Sequence, residues 1–225
     1  MRYILIISGI ISAIGLITLA LYFALTIPSF GMWFYRWQFD VNNTYYVVNM
    51  HPDDLHHVTR HMIAYMQGHH QNLQIATTVA GYNRYFFSDI EIRHMIDVYY
   101  LFVAGRIIRN IAALASVASV IVFVIFGRDN LSYMFRAWHW AAASLFGILI
   151  IFGTIMALNW DRAWWVFHEI FFDNSYWLLD PRVDLLINIV PNEFFMSLAA
   201  VIGGFFAAGL AIIFVAGFVL RRFLP

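Results

Sequence analysis

Hydrophobic and polar positions alternate along this chain in long blocks. Four apolar runs, near residues 3–25, 107–126, 139–158 and 195–220, are each long enough to cross about 30 Å of hydrocarbon at about 1.5 Å per residue, and predict four transmembrane helices. Between them lie two amphiphilic stretches, 26–101 and 159–194, rich in Trp, Tyr and Phe. The first run begins Met-Arg in the manner of a signal peptide. It exceeds a typical h-region and lacks a small-x-small cleavage site before Pro28, so it reads as a retained span.

Local signals divide the amphiphilic stretches further. Pro52 opens a helical pattern with Asp53 and Asp54 in its first turn, where the helix dipole favours anions, and Gly68 closes it. Leu55, Val58, Met62 and Met66 form its apolar face. Ser88-Asp89-Ile90-Glu91 spells a capping box, from which helical periodicity runs into the second span. The second stretch begins with an aromatic helix containing Trp164, Trp165, Phe167, His168, Phe171 and Phe172. It turns near Asn174 and Ser175, shows a short pattern over 181–190, and restarts at Pro191. In the last span Gly203, Gly204, Ala207 and Ala208 are spaced to let another helix approach. The expected architecture is an all-α integral membrane protein, a single membrane domain over 1–225, with four transmembrane helices and two extracytoplasmic loops carrying interfacial helices.

Composition supports lipid as the solvent: the 225 residues are 62% hydrophobic and 12% charged. Cysteine is absent, which removes disulfides, thiolate nucleophiles and Cys-ligated metals. Lysine is absent too, which removes Schiff-base chemistry. The thirteen arginines balance thirteen acids, so charge offers no case for nucleic acid. Where each sign falls sets the orientation. With both termini cytoplasmic, the inner face holds Arg2, Arg128, Arg136, Arg221 and Arg222 against Asp129 alone, a net of +4. Eight of the nine histidines then fall on the outer side, where any chemistry is expected.

Helical projection separates those histidines. His57 and His61 are four apart but point away from the Leu55/Met62/Met66 stripe, and the pair has no third ligand in its pattern. With His51, His56, His69 and His70 they read as solvated or interfacial side chains. His94 shares a stripe with Ile90, Asp97, Val98 and Leu101, so Asp97 is placed to accept from one imidazole nitrogen. His168 lies among Trp164, Trp165, Phe171 and Phe172, where a titratable group is costly without a partner or a task. His168 and Asp173 also spell His-x4-Asp, although a continuous helix sets them about 140° apart. Two such histidines suit an acid/base pair acting on a membrane-embedded substrate. A structural histidine bonded to Asp97 fits the same pattern. No Gly-x-Ser-x-Gly elbow, P-loop or Gly-rich dinucleotide turn is present, and no charge interrupts the middle of a span.

Two segments resemble one family. Phe86-Phe87-Ser88-Asp89-Ile90-Glu91-Ile92-Arg93-His94-Met95-Ile96-Asp97-Val98 is the first, and Phe167-His168-Glu169-Ile170-Phe171-Phe172-Asp173-Asn174 the second, continuing through Trp177, Asp180-Pro181, Asp184-Leu185-Leu186-Ile187, Pro191 and Phe194-Phe195. They are similar to the lipoprotein intramolecular transacylases (Lit) of Gram-positive bacteria. The resemblance implies an enzyme of the bacterial cytoplasmic membrane. It would move the sn-2 acyl chain of an S-diacylglyceryl cysteine to the α-amino group of that cysteine, with membrane lipid and a diacylglyceryl lipoprotein as partners. It implies catalytic roles for His94 and His168, with no cofactor and no metal. Asp97, Asp173, Asn174 and Arg93 are the expected supporting or orienting residues, and Trp164, Trp165, Phe171 and Phe172 the expected pocket walls. Two rival readings stand beside this one: a metal-dependent membrane lipid hydrolase built on His57 and His61, and a membrane scaffold without chemistry.

Overall fold

The computed structural model describes residues 2–127 and 130–223, the latter without the side chains of 221 and 223. Arg128, Asp129 and the Arg221 side chain, which enter the inner-face charge balance, therefore lie outside the described residues. Among the described residues four helices are long and apolar enough to cross a membrane: α1 (Arg2–Phe30), α5 (Asp89–Phe126), α6 (Ser132–Leu158) and α9 (Asn192–Phe223). The protein is a multi-pass membrane protein of mostly helical fold, as its hydropathy pattern predicts.

The chain forms two compact units. One comprises Met1–Leu25, Gly105–Leu158 and Ile202–Pro225. In it, Trp138 of α6 donates Nε1–H to Ser12 Oγ of α1 at 3.0 Å, and the Ser8 hydroxyl donates to the Ser119 carbonyl of α5 at 3.2 Å. Polar side chains in hydrocarbon need such partners. Helices approach most closely at glycine: a Cβ at Gly15 would run into Ser116 Oγ, and one at Gly217 would lie 2.7 Å from the His139 backbone nitrogen. The predicted small-residue stripe behaves differently, since a Cβ at Gly203 or Gly204 meets nothing within 4 Å among the described residues. Small residues permit close approach without compelling it, and α9 makes contact instead through Gly209, against Ala20, and Gly217. Ile107, Ile111 and Leu114 of α5 and Ile148, Ile151 and Ile155 of α6 are exposed, a surface suited to lipid.

The other unit comprises Thr26–Ala104 and Asn159–Val201. Its core is aromatic and aliphatic. It joins Phe34, Tyr35 and Phe39 of α2 (Met32–Val41) to Leu55, Val58, Met62 and Met66 of α4 (Pro52–Gln67), and both to Phe86, Phe87, Ile189 and Phe194. The α4 apolar stripe is buried as its spacing predicts. Pro52 is the first residue of that helix, and Gly68 ends it at φ +85°, a left-handed conformation that glycine adopts without a Cβ clash.

Between α4 and α5 the structure adds a hairpin that hydropathy did not reveal. Strands β1 (Ala76–Val79) and β2 (Tyr82–Tyr85) pair antiparallel with Val79 opposite Tyr82, leaving Ala80 and Gly81 as a two-residue turn. Both turn residues have positive φ, the geometry that matches strand twist. The other short helices are α3 (Thr44–Val47), α7 (Trp160–Phe171) and α8 (Leu186–Ile189), the last covering only part of the pattern read over 181–190.

The capping box forms as predicted, and tertiary contacts extend it. The Ser88 backbone N–H donates to Glu91 Oε2 while Glu91 N–H donates to Ser88 Oγ. Glu91 is fully buried, and its second oxygen accepts from the Leu186 backbone N–H. Ser88 Oγ–H in turn donates to Asp184 at 2.9 Å. The start of α5 is thereby tied to the loop that leads into α9.

Candidate active site

The site lies within the second unit, on the first turns of α5 and the last turn of α7. Asp89 and Glu91 stabilise the positive N-terminal end of α5, and the box between Ser88 and Glu91 fixes where that helix starts. This sets the direction in which His94 projects. On α7, His168 occupies the final turn and is 4% exposed. The two imidazoles come together, their ring centroids 6.2 Å apart and their planes inclined at 32°.

Hydrogen bonds distinguish the two rings. His168 Nδ1 is 2.8 Å from the Trp164 carbonyl oxygen. A carbonyl only accepts, so Nδ1 carries the proton and a neutral His168 presents a bare lone pair at Nε2. His94 Nδ1 is buried and finds no hydrogen-bond partner among the described residues. Burial pushes the His168 pKa below its ordinary value, and the bond to Trp164 pulls it partly back. A neutral imidazole with Nε2 free is the proton-accepting form.

Aromatic rings enclose the pair. Trp177 stacks on His168 at 4.5 Å, Trp164 meets it edge to face at 4.3 Å, and Phe172 touches both His168, at 5.5 Å, and His94, at 5.2 Å. Two of the four expected walls, Trp164 and Phe172, are therefore in place against the histidines. Trp165 faces away: it packs on Trp177 at 4.8 Å and donates Nε1–H to Glu169. Phe171 is exposed and packs on Phe167. Trp177 lies against His168 because α7 ends at Phe171 and the chain folds back, carrying residue 177 over the imidazole.

The residues expected to orient the histidines are arranged differently for the same reason. Asp97 does not hydrogen-bond to His94; it accepts from Asn174 Nδ2 at 2.9 Å. Asn174 is itself pinned, its Oδ1 accepting from the Tyr176 backbone N–H and its carbonyl from Trp177 Nε1–H. Asp173 is exposed and lies 3.5 Å from Asn174 Nδ2, without a hydrogen bond to His168, so the His-x4-Asp spelling is not a contact. Arg93 lies over the Tyr176 ring at 5.5 Å and donates to its hydroxyl at 3.4 Å. At the far end of α7, Trp160 Nε1–H donates to Asn192 Oδ1, and Asn192 donates to Asp161.

The other histidine cluster is organised differently. His61 Nε2–H is directed at the Asn72 carbonyl, and its ring stacks on His70 at 4.5 Å. Among the described residues no three His, Asp or Glu side chains converge as metal ligands.

The family model described as lipoprotein intramolecular transacylase Lit matches residues 10–195. The chain belongs to the Lit family. As a Lit member it is an integral membrane enzyme of the transacylase class. No curated protein sequence matches it significantly. Among solved structures it is similar to the in meso structure of the membrane-integral Lit from Bacillus cereus. The TM-score is 0.80 and the identity 19%, covering 99% of this chain and 96% of that one. Two further structures of the Bacillus cereus protein carry a single histidine replacement, by arginine in one and alanine in the other. They match at TM-scores of 0.72 and 0.73, both at 19% identity, covering 96% and 97% of this chain and 90% and 92% of theirs. The likeness establishes a shared fold across nearly the whole length of a Lit protein.

Proposed function

We propose that this Lit protein moves the sn-2 acyl chain of an S-diacylglyceryl cysteine onto the α-amino group of the same cysteine, producing lyso-form lipoprotein. The observation that carries the reading is the approach of His94 and His168 to 6.2 Å within an aromatic enclosure, in a chain of this family. In the reaction the amine nitrogen attacks the ester carbonyl, the carbon–oxygen bond to glycerol breaks, and one proton passes from nitrogen to the glycerol oxygen. His168 accepts the amine proton at Nε2. His94 takes that proton over from His168 and delivers it to the departing oxygen, so that both rings end neutral as they began. The two rings are close enough for that transfer through one water.

Nucleophile and ester belong to one molecule, so no acyl-enzyme is needed. Alignment of this kind is worth roughly 7–11 kcal/mol in well-oriented intramolecular reactions. Trp164, Trp177 and Phe172 keep out water that would hydrolyse the ester. The substrate is a diacylglyceryl lipoprotein presented from the membrane. The arginine distribution supports cytoplasmic termini and a site on the outer side of the bacterial cytoplasmic membrane.

The test is mass spectrometry of a reporter lipoprotein's N-terminal peptide, expressed with wild type, His94→Ala or His168→Ala in a host lacking other N-acylating enzymes. The reading expects N-acyl, S-monoacylglyceryl cysteine from wild type and its loss in both variants. Unchanged diacylglyceryl cysteine with correctly inserted wild-type protein would overturn it.

A further inference from the structure

Burial and base chemistry pull against each other at His168. A buried imidazole resists a positive charge, yet a base that takes the amine proton must become an imidazolium. Three features oppose the burial. His168 sits in the last turn of α7, where the helix dipole favours a cation. Its Nδ1–H is held by the Trp164 carbonyl. The third is Trp177, whose ring plane lies within 28° of the imidazole plane at 4.5 Å, so that its electron-rich face covers the base. Trp177 is held there from two sides, by its Nε1–H bond to the Asn174 carbonyl at 2.9 Å and by the edge of Trp165.

Few charges compete with that face. From α5 the neighbouring titratable group is His94, with Asp97 one turn further on and bound to Asn174. On α7 itself Glu169 is taken up by Trp165. The turn after α7 brings Asp173 and Tyr176, the first exposed and the second bonded to Arg93. From α9, Phe195 packs on Trp164.

We propose that Trp177 is a positioning residue of the acyl transfer, acting through His168: its ring face stabilises the imidazolium formed when Nε2 takes the amine proton. The proposal rests on His168 being the base of that reaction.

The experiment is an NMR titration of the full-length protein in lipid nanodiscs, with ¹³C-labelled histidine and the His168 signal assigned by its loss in His168→Gln. Trp177→Leu removes the π face, and Trp177→Phe keeps a weaker one. The leucine variant is expected to titrate at His168 lower by roughly half to one and a half pH units, and to lose about 3- to 30-fold in kcat at neutral pH with KM unchanged. The phenylalanine variant should recover most of both. A leucine variant whose His168 titrates as in wild type, or a phenylalanine variant no better than leucine, overturns the proposal. Should Trp177→Leu fail to fold, Trp177→Phe still decides it, since a smaller ring must lower the midpoint by a few tenths of a pH unit. The titration needs no substrate, so the two readings fail separately. An active enzyme with an unmoved titration removes the role of Trp177 alone. Wild type that makes no N-acyl product removes the transacylase reading and with it this role.

Discussion

Asn174 and Asp97, 77 positions apart, are joined by a hydrogen bond from Asn174 Nδ2 to Asp97 Oδ2 at 2.9 Å. Asp97 stands one helical turn beyond His94, and Asn174 follows His168 at the turn that ends α7. The bond therefore ties together the two segments that carry the imidazoles, and through the Asn174 carbonyl it also holds Trp177. A bond to a carboxylate is among the stronger kinds, so it can fix a separation that reaction geometry depends on.

Breaking that tie should cost catalysis more than folding. Asn174→Ala and Asp97→Ala are each expected to lower kcat about 10- to 100-fold, because small displacements of reacting groups are expensive. The double variant should be no slower than the worse single one, since the residues act as a unit. Initial rates on a diacylglyceryl lipopeptide, with circular dichroism to confirm helicity, would check this. Additive losses would refute a shared tie.

Removing either histidine should be more severe. His94→Ala and His168→Ala are each expected to reduce the rate by about 100- to 10,000-fold, the usual range for general acid or base groups, and the double variant little further. Wild-type rates in His94→Ala would end the acid/base assignment.

The acid limb of kcat/KM should fall below the ordinary histidine value of 6.5, because burial depresses the His168 pKa. Activity rises with pH through that limb, and its midpoint belongs to the coupled histidine pair. Stability follows the same sign. An unfolded His168 takes up its proton near 6.5 and the folded one only at lower pH, so stability declines as pH falls from 6.5 toward the folded pKa. Above 6.5 both forms are neutral and the group contributes nothing. His168→Gln should remove this part of the acid sensitivity, as measured by denaturation midpoints between pH 5 and 8.

Glu91 should matter to folding rather than chemistry. Its two oxygens accept the backbone N–H groups of Ser88 and Leu186 while fully buried. Glu91→Ala strands both donors and is expected to destabilise by about 2–6 kcal/mol, at about 1–3 kcal/mol per unsatisfied buried group. A thermal midpoint unchanged from wild type would contradict the tie between α5 and the loop before α9.

Metal chelation provides a separate check. His61 is committed to Asn72 and stacked on His70, so EDTA treatment and the His57→Ala/His61→Ala pair are expected to leave activity within about twofold. Loss of acyl transfer under either treatment would restore the metal-dependent reading.

Features encoded by neighbouring residues were readable from the sequence alone. The four spans, the α4 stripe, the cap at Ser88 and the turn at Asn174 each depend on residues a few positions apart, where hydrophobic period and capping chemistry act directly. Helical face and family motif together singled out His94 and His168, and the fold brings them within 6.2 Å. Their surroundings followed a different logic. Asp97 projects toward His94 on a helical wheel, yet its partner is Asn174, because the chain reverses after Phe171 and delivers an amide to that carboxylate. The same reversal sets Trp177 on His168 and leaves Trp165 and Phe171 outside. Likewise Glu91 reads as a cap residue alone until Leu186 arrives from 95 positions away. Periodicity carries information over about two helical turns, whereas these pairings depend on the path of the turn beyond α7, which only tertiary packing determines.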